Sequence, residues 1–345
     1  GAYLSGRLIK SVGAIRIQII GLGVAVPLFM IVPLAQSLLS VSTAMFFVSL
    51  FVESVRPASS VSVTQFVKPE LHTRAFGLQR MAVNLGYSVG PAVGGFLAEY
   101  NYALLFIVDG ITTGLGALML LWFFGFKKYV KGGEAAKLQR MAEQNEGEGS
   151  PLKDFRFLFF MFLILVVSIV FFQFHATYPK YMKDQFSLTK PQIGLLFSVN
   201  TIVIVVFEML LVNYVRRFSL IRTVGWGCLL SCVGFGMMPA SQAAWFAVFS
   251  MLVITTGEMF MFPLATGFAA ERGSGRNQAM YMSWYAMTYS MASVIAPLVG
   301  TASYAYNRHL LWYLSNGIGL FALVGCYWLA ASIARQKSEA KHEIE

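Results

Sequence analysis

The sequence predicts an all-α protein that crosses a lipid bilayer many times. Three observations carry this. The chain is 57% hydrophobic and only 12% charged, whereas soluble domains carry roughly a quarter charged residues. Its apolar residues fall in blocks of helical length rather than being spread evenly. A helix needs about 20 such residues to cross the hydrocarbon core. The ~10-residue alternating segments of a membrane β-barrel are absent from the pattern.

Ten blocks satisfy the length criterion: 17–38, 41–67, 75–98, 103–126, 155–179, 192–215, 221–239, 244–270, 279–304 and 310–333. The first follows the basic stretch GAYLSGRLIKSVGAIR. The second holds Glu53, Arg56 and Pro57, and the third holds Arg80, Asn84 and a cluster of glycines. Asp109 lies in the fourth, and Gln173 and His175 near the outer end of the fifth. Asn200 and Glu208 lie in the sixth, and Cys228 and Cys232 in the seventh. Glu258 precedes Pro263 by five residues in the eighth. The ninth is dense in Met and aromatic residues, among them Tyr285, and the tenth holds Cys326. No cysteine spacing here indicates a disulfide framework or a metal site.

The net charge of +10 is a topology signal and calls for no nucleic acid. With the charged 127–154 segment on the cytoplasmic side, alternation places Arg7, Arg16, Arg74, Arg80, Arg216, Arg217, Arg222, Arg272 and Arg335 on that side as well. The outer side keeps Lys180, Lys183, Lys190 and Arg308. Such an asymmetry is the positive-inside rule, and lipid headgroups answer the charge. Arg80 is expected to snorkel to the cytoplasmic interface.

A shift of 206 positions superimposes one half of the chain on the other. Arg16 meets Arg222, Gly21 meets Gly227, Gln36 meets Gln242 and Gly94 meets Gly300. Pro33, Pro57 and Pro91 meet Pro239, Pro263 and Pro297. Prolines are scarce in this chain, so three pairs at one offset indicate an internal repeat. The organisation read from this is a helical bundle over 1–126, a linker over 127–154 and a six-helix bundle over 155–345. At the same offset, the first half is expected to start about 50 residues before residue 1, room for two further spans. The expectation is ten helices of twelve, with both termini of the full chain in the cytoplasm.

Charges inside spans are costly, at least ~2.5 kcal/mol each, and mark candidate pathways. Glu53 and Arg56 stand at i, i+3 and can neutralise each other. Glu258 has no basic residue on its own helix to do the same. Glu53 falls one position from Glu258 at the 206 offset, so the two are expected to face a common cavity. Glu53, Glu258 and Asp109 are the candidate proton-coupling groups. Arg56, Asn84, Gln173, Asn200 and Tyr285 are the candidate cavity residues. A static ion pair, a buried neutral carboxyl or plain packing would explain the same residues.

The stretch NLGYSVGPAVGG, residues 84–95, spaces Gly86, Gly90 and Gly94 four apart, with Pro91 and Gly95 beside them. In lipid, small residues let helices approach closely. Gly86-x-x-x-Gly90-Pro91-x-x-Gly94-Gly95 resembles the antiporter motif of drug:proton antiporters in the major facilitator superfamily, whose two six-helix halves flank a central cytoplasmic loop. ESVRPASS (53–60) and GRNQAMYMSWYAMTYS (275–290) are similar to bacterial members of the multidrug-efflux group. Gly1, Arg7, Gly13 and Arg16 resemble the superfamily's loop between its second and third helices, although the usual Asp is missing. The resemblance implies a two-bundle fold with a midplane site. It implies proton-coupled export of small amphipathic compounds, with Arg7, Arg16, Glu208 and Arg216 at a cytoplasmic gate. The implied partners are a small-molecule substrate, protons and the bilayer, with no cofactor, no metal and a monomeric state. A nutrient symporter or uniporter of the same fold, or a non-transporting remnant, remain alternatives. An enzyme is not expected: Gly-x-Ser-x-Gly, His-Glu-x-x-His and Asp-rich headgroup motifs are all missing.

Overall fold

The computed structural model describes residues 1–124, 150–215, 217–273 and 277–342. These residues form α1 (Ala2–Val12), α2 (Ala14–Ile31), α3 (Leu38–Phe66), α4 (His72–Tyr100), α5 (Tyr102–Phe124) and α6 (Phe155–Phe171). They continue as α7 (Tyr178–Phe186), α8 (Lys190–Val215), α9 (Leu220–Gly236), α10 (Ala244–Arg272), α11 (Gln278–Tyr306) and α12 (Leu310–His342). Each of the ten expected spans coincides with one long helix. Eight of these are long and apolar enough to cross a membrane. The other two are α4 and α11, helices of 29 residues each. Arg74, Gln79, Arg80 and Asn84 dilute the apolarity of α4, and Gln278, Trp284 and several tyrosines and serines that of α11.

Local chemistry explains the boundaries. Ser37 caps α3 by accepting from the Ser40 amide, and Ser40 returns the bond to the Ser37 amide, the reciprocal arrangement of a capping box. The Asp154 carboxylate caps α6 through the Phe157 amide. The opening stretch was expected as a loop, but it is helical. Its one break is Gly13, whose φ of 94° is a left-handed conformation open to glycine at little cost. That single residue separates α1 from α2. Prolines sit inside α2, α3, α10 and α11, a placement that spanning helices tolerate.

The helix bounds carry the internal repeat. Adding 206 to the bounds of α3 gives 244–272, the bounds of α10. The same shift carries α4 onto α11 and the 3-10 turn Val32–Leu34 onto Met238–Ala240. It also reproduces a contact. A Cβ on Gly21 would press on Phe51 O, Ser54 and Val55, and a Cβ on Gly227 on Gly257 O, Phe260 and Met261, which are the same three positions plus 206. In both halves a glycine lets one helix backbone meet the next, the packing mode open to helices in lipid.

The chain forms two compact units. The first contains Gly1–His72, Val89–Lys153 and Ala269–Met287, and the second Thr73–Ser88, Asp154–Phe268 and Thr288–Glu345. Helices α4 and α11 each contribute one end to each unit, so compactness does not follow the sequence halves. In the first unit α2 packs on α3 and α5. The second unit has the denser core: Trp312 stacks on Phe235 with ring centroids 5.9 Å apart, and Tyr181 meets Trp312 edge-on.

Candidate functional site

The second unit encloses a charge cluster built from three helices. Arg80 comes from α4, Asn200 and Glu208 from α8, and Thr255 and Glu258 from α10. The Arg80 side chain is only 12% exposed. Its Nη2 lies 2.5 Å from Glu258 Oε1 as a close ion contact, and its Nη1 donates to the Glu258 carbonyl oxygen at 2.6 Å. Asn200 Nδ2 donates to Glu258 Oε2 at 2.7 Å and to Thr255 Oγ1 at 2.9 Å. The Thr255 hydroxyl in turn donates to the Met251 carbonyl. Both oxygens of Glu258 are therefore engaged, one by a cation and one by an amide. An ionised carboxylate can be buried in such company, where alone it could not.

Glu208 is placed differently. It is fully buried, its Oε1 is 3.8 Å from Arg80 Nη1, and neither of its oxygens has a hydrogen-bond partner among the described residues. The face of the cluster away from the carboxylates is aromatic. The Arg80 guanidinium lies 4.5 Å over the Phe262 ring, and Phe262 packs on Phe171 and Tyr289. A cation over a ring face in a desolvated site is stabilised by about 2 kcal/mol. The cluster holds one guanidinium and two carboxylates.

The expected site residues divide between this cluster and other places. Glu258, Asn200 and Glu208 converge on it. Asn84, one turn after Arg80 on α4, buries its Nδ2 without a hydrogen-bond partner among the described residues. Gln173 is fully buried, but its amide is committed to packing: it donates to the Ile169 and Ala296 carbonyls and accepts from Thr177. His175 is exposed, with its ring 6.2 Å from that of Tyr87. Glu53 and Arg56 form a 3.7 Å pair on α3 in the first unit, their side chains 37% and 49% exposed. Asp109 is exposed on α5, and Tyr285 is buried in the first unit. Arg7 is exposed on α1 with its guanidinium 4.9 Å over the Tyr3 ring, and Arg16 is half-buried on α2. Arg216 lies outside the described residues.

Three expectations need correction. Arg80 does not snorkel; it turns inward to Glu258, because two carboxylates from other helices offer more than the interface does. Glu53 and Glu258 are not equivalent. The shift carries Glu258 onto Val52, and one residue turns a helix face by about 100°, so one carboxylate is buried and the other partly exposed. The glycine face of α4 is not a packed face along its length. A Cβ at Gly86 or Gly90 would meet nothing within 4 Å, and one at Gly94 would meet only Leu105 of α5, at 3.3 Å. Pro91 and Gly95 lie in the same helix. Among the described residues, no group of His, Cys, Asp and Glu could hold a metal ion.

Arg80 is the residue that the sequence reading missed. The signal was present: two carboxylates in spans without a basic neighbour require a cation from elsewhere, and Arg80 is well inside α4.

The family model of the Major Facilitator Superfamily matches residues 1–181 and 160–344. The chain belongs to that superfamily. It is a multi-pass integral membrane protein of a transporter family, not an enzyme. Among superfamily relatives, it is 23% identical to the uncharacterized MFS-type transporter YqjV of Bacillus subtilis, over 83% of this chain and 70% of that protein. It is 21% identical to a Na(+), Li(+), K(+)/H(+) antiporter of Planococcus maritimus, over 70% of this chain and 62% of that one. It is 22% identical to the quinolone resistance protein NorA of Staphylococcus aureus, over 72% and 63%. The chain thus spans under two thirds of the length of the latter two. The fold is that of solved superfamily members. The human organic anion transporter MFSD10 (TETRAN) superimposes with a TM-score of 0.77 at 15% identity, over 94% of this chain and 80% of that one. The fucose:proton symporter FucP of E. coli gives 0.68 at 12% identity, over 96% and 86%.

Proposed function

We propose that this superfamily member is a secondary active antiporter, exporting small amphipathic compounds in exchange for protons by alternating access of its two repeated halves. On this reading ten helices cross a bacterial cytoplasmic membrane, α4 and α11 included, in a monomer with both ends of the full chain in the cytoplasm. Residues 1–126 and 155–345 are its two halves, and 127–154 links them on the cytoplasmic side.

The observation that carries the reading is the Arg80–Glu258–Asn200 cluster. A buried ionisable network inside spanning helices is expensive, and transport pathways are where it recurs. With both carboxylates ionised the cluster carries a net negative charge, which suits a proton or a cationic substrate rather than an anion. The flanking Phe262 and Tyr289 rings offer an apolar cation a second source of attraction. Distant similarity to a Na(+), Li(+), K(+)/H(+) antiporter supports exchange over symport.

The test is transport in proteoliposomes under an imposed pH gradient, with a lipophilic cationic dye as substrate. The wild-type chain is expected to move the dye against its gradient, and Glu258→Gln to lose that movement while keeping its helical content. Unimpaired dye movement in Glu258→Gln would remove the cluster from the mechanism. A second substrate class, small monovalent metal cations, is separated by replacing the dye with Na⁺ or K⁺.

A further inference from the structure

We infer that Glu208 is the proton-carrying carboxyl of this site, and that Arg80 is a cation shared between it and Glu258. The inference rests on the exchange reading above and names the residue that performs it.

The two carboxylates of the cluster are unequal. Glu258 accepts from Asn200 through one oxygen, contacts Arg80 through the other, and accepts again from Arg80 through its main chain. Glu208 has the guanidinium only at 3.8 Å and no hydrogen bond to either oxygen, although it is fully buried. Among the described residues, the charged and titratable groups facing it are Arg80 from α4 and Glu258 from α10. One guanidinium cannot compensate two buried carboxylates. The proton therefore goes to the carboxyl with fewer partners, which is Glu208.

The same geometry supplies a switch. Arg80 Nη1 is within 4 Å of Glu208 while Nη2 holds Glu258. A small swing of the guanidinium toward Glu208 would favour its ionised form and release its proton to water. Glu258 would then keep Asn200 and lose its cation, leaving it open to a positively charged substrate. Proton binding and cation binding become alternatives because both depend on where one Arg points.

Infrared difference spectroscopy of the full chain in lipid, titrated with pH, reads this directly through the C=O stretch of a protonated carboxyl. The wild type is expected to show one buried carboxyl band at neutral pH. That band should be lost in Glu208→Gln and shifted in Glu208→Asp, which keeps a carboxyl and guards against a folding defect. Loss of the band in Glu258→Gln with retention in Glu208→Gln would overturn the assignment while leaving proton exchange intact. Absence of any such band in the wild type would also overturn it, making Glu208 a permanent ion-pair partner. Dye transport in the same samples tests the exchange reading separately. A wild type with the band but no pH-driven transport would sink that reading and leave Glu208 as the protonated group.

Discussion

Helices α3 and α10 occupy the same place in the two halves, yet their charges behave oppositely. On α3, Glu53 and Arg56 pair along their own helix and remain partly exposed. On α10, Glu258 is buried and reaches across to Arg80 on α4 and Asn200 on α8. The backbones match at an offset of 206 residues, but the carboxylate has moved by one residue. A repeat thus conserves where helices meet and leaves side-chain register free to differ. The self-paired charges cost little and add little, as surface-type pairs do. The buried ones bind three helices together and hold an unequal pair of carboxylates.

The largest effect should follow from breaking the buried side of this comparison. Arg80→Met leaves Glu208 and Glu258 without a cation. Removing one partner of a buried pair costs about 3–5 kcal/mol, so the detergent-solubilised variant should melt well below wild type in a thermal-stability assay.

The repeated glycine contact comes next. Gly227→Val forces a side chain against the α10 backbone at Gly257 and Met261, and overpacking of this kind costs about 1–3 kcal/mol. Gly21→Val should lose less, because two of its three contacts on α3 are side-chain atoms of Ser54 and Val55 rather than backbone. Gly86→Ala, with open space around it, should change the melting temperature little. A large loss at Gly86 would show that its helix face is packed in the membrane.

Smaller still is the self-paired side. Arg56→Gln is expected to cost below about 1 kcal/mol. Transport assays of this variant against Glu258→Gln would show whether the first half carries any coupling.

The smallest effect concerns α7, which lies between spans. Asp184 sits below the usual carboxylate range, because the Tyr304 hydroxyl donates to it at 2.7 Å and Lys180 lies 3.1 Å away. A depressed carboxylate contributes stability above its unfolded pKa and loses it as pH falls through the folded value. Hydrogen exchange over 178–186 should therefore quicken, after correction for intrinsic rates, only at distinctly acidic pH. Tyr304→Phe should move that onset upward.

Much of the fold was legible because bilayer thickness dictates span length and a repeat leaves a numerical offset. The ten helices, the pairing of Pro57 with Pro263 and the unusual cost of Glu258 all follow from residue type and spacing. The site was half legible. Asn200, Glu208 and Glu258 stand out as polar groups in apolar runs, but nothing in the order of residues says that Asn200 meets Glu258, or that both carboxylates meet Arg80, 178 positions from Glu258. Gln173 stood out for the same reason and proved to be a packing group, since its amide finds three partners between α6 and α11. The glycines of α4 gave a capacity for close approach, whereas a contact needs a partner helix at that height. Sequence by itself determined which segments are helices, because that depends on local periodicity and the solvent. Only the tertiary structure decided which charges neutralise one another, because electrostatic pairing depends on distances between helices that no spacing along the chain encodes.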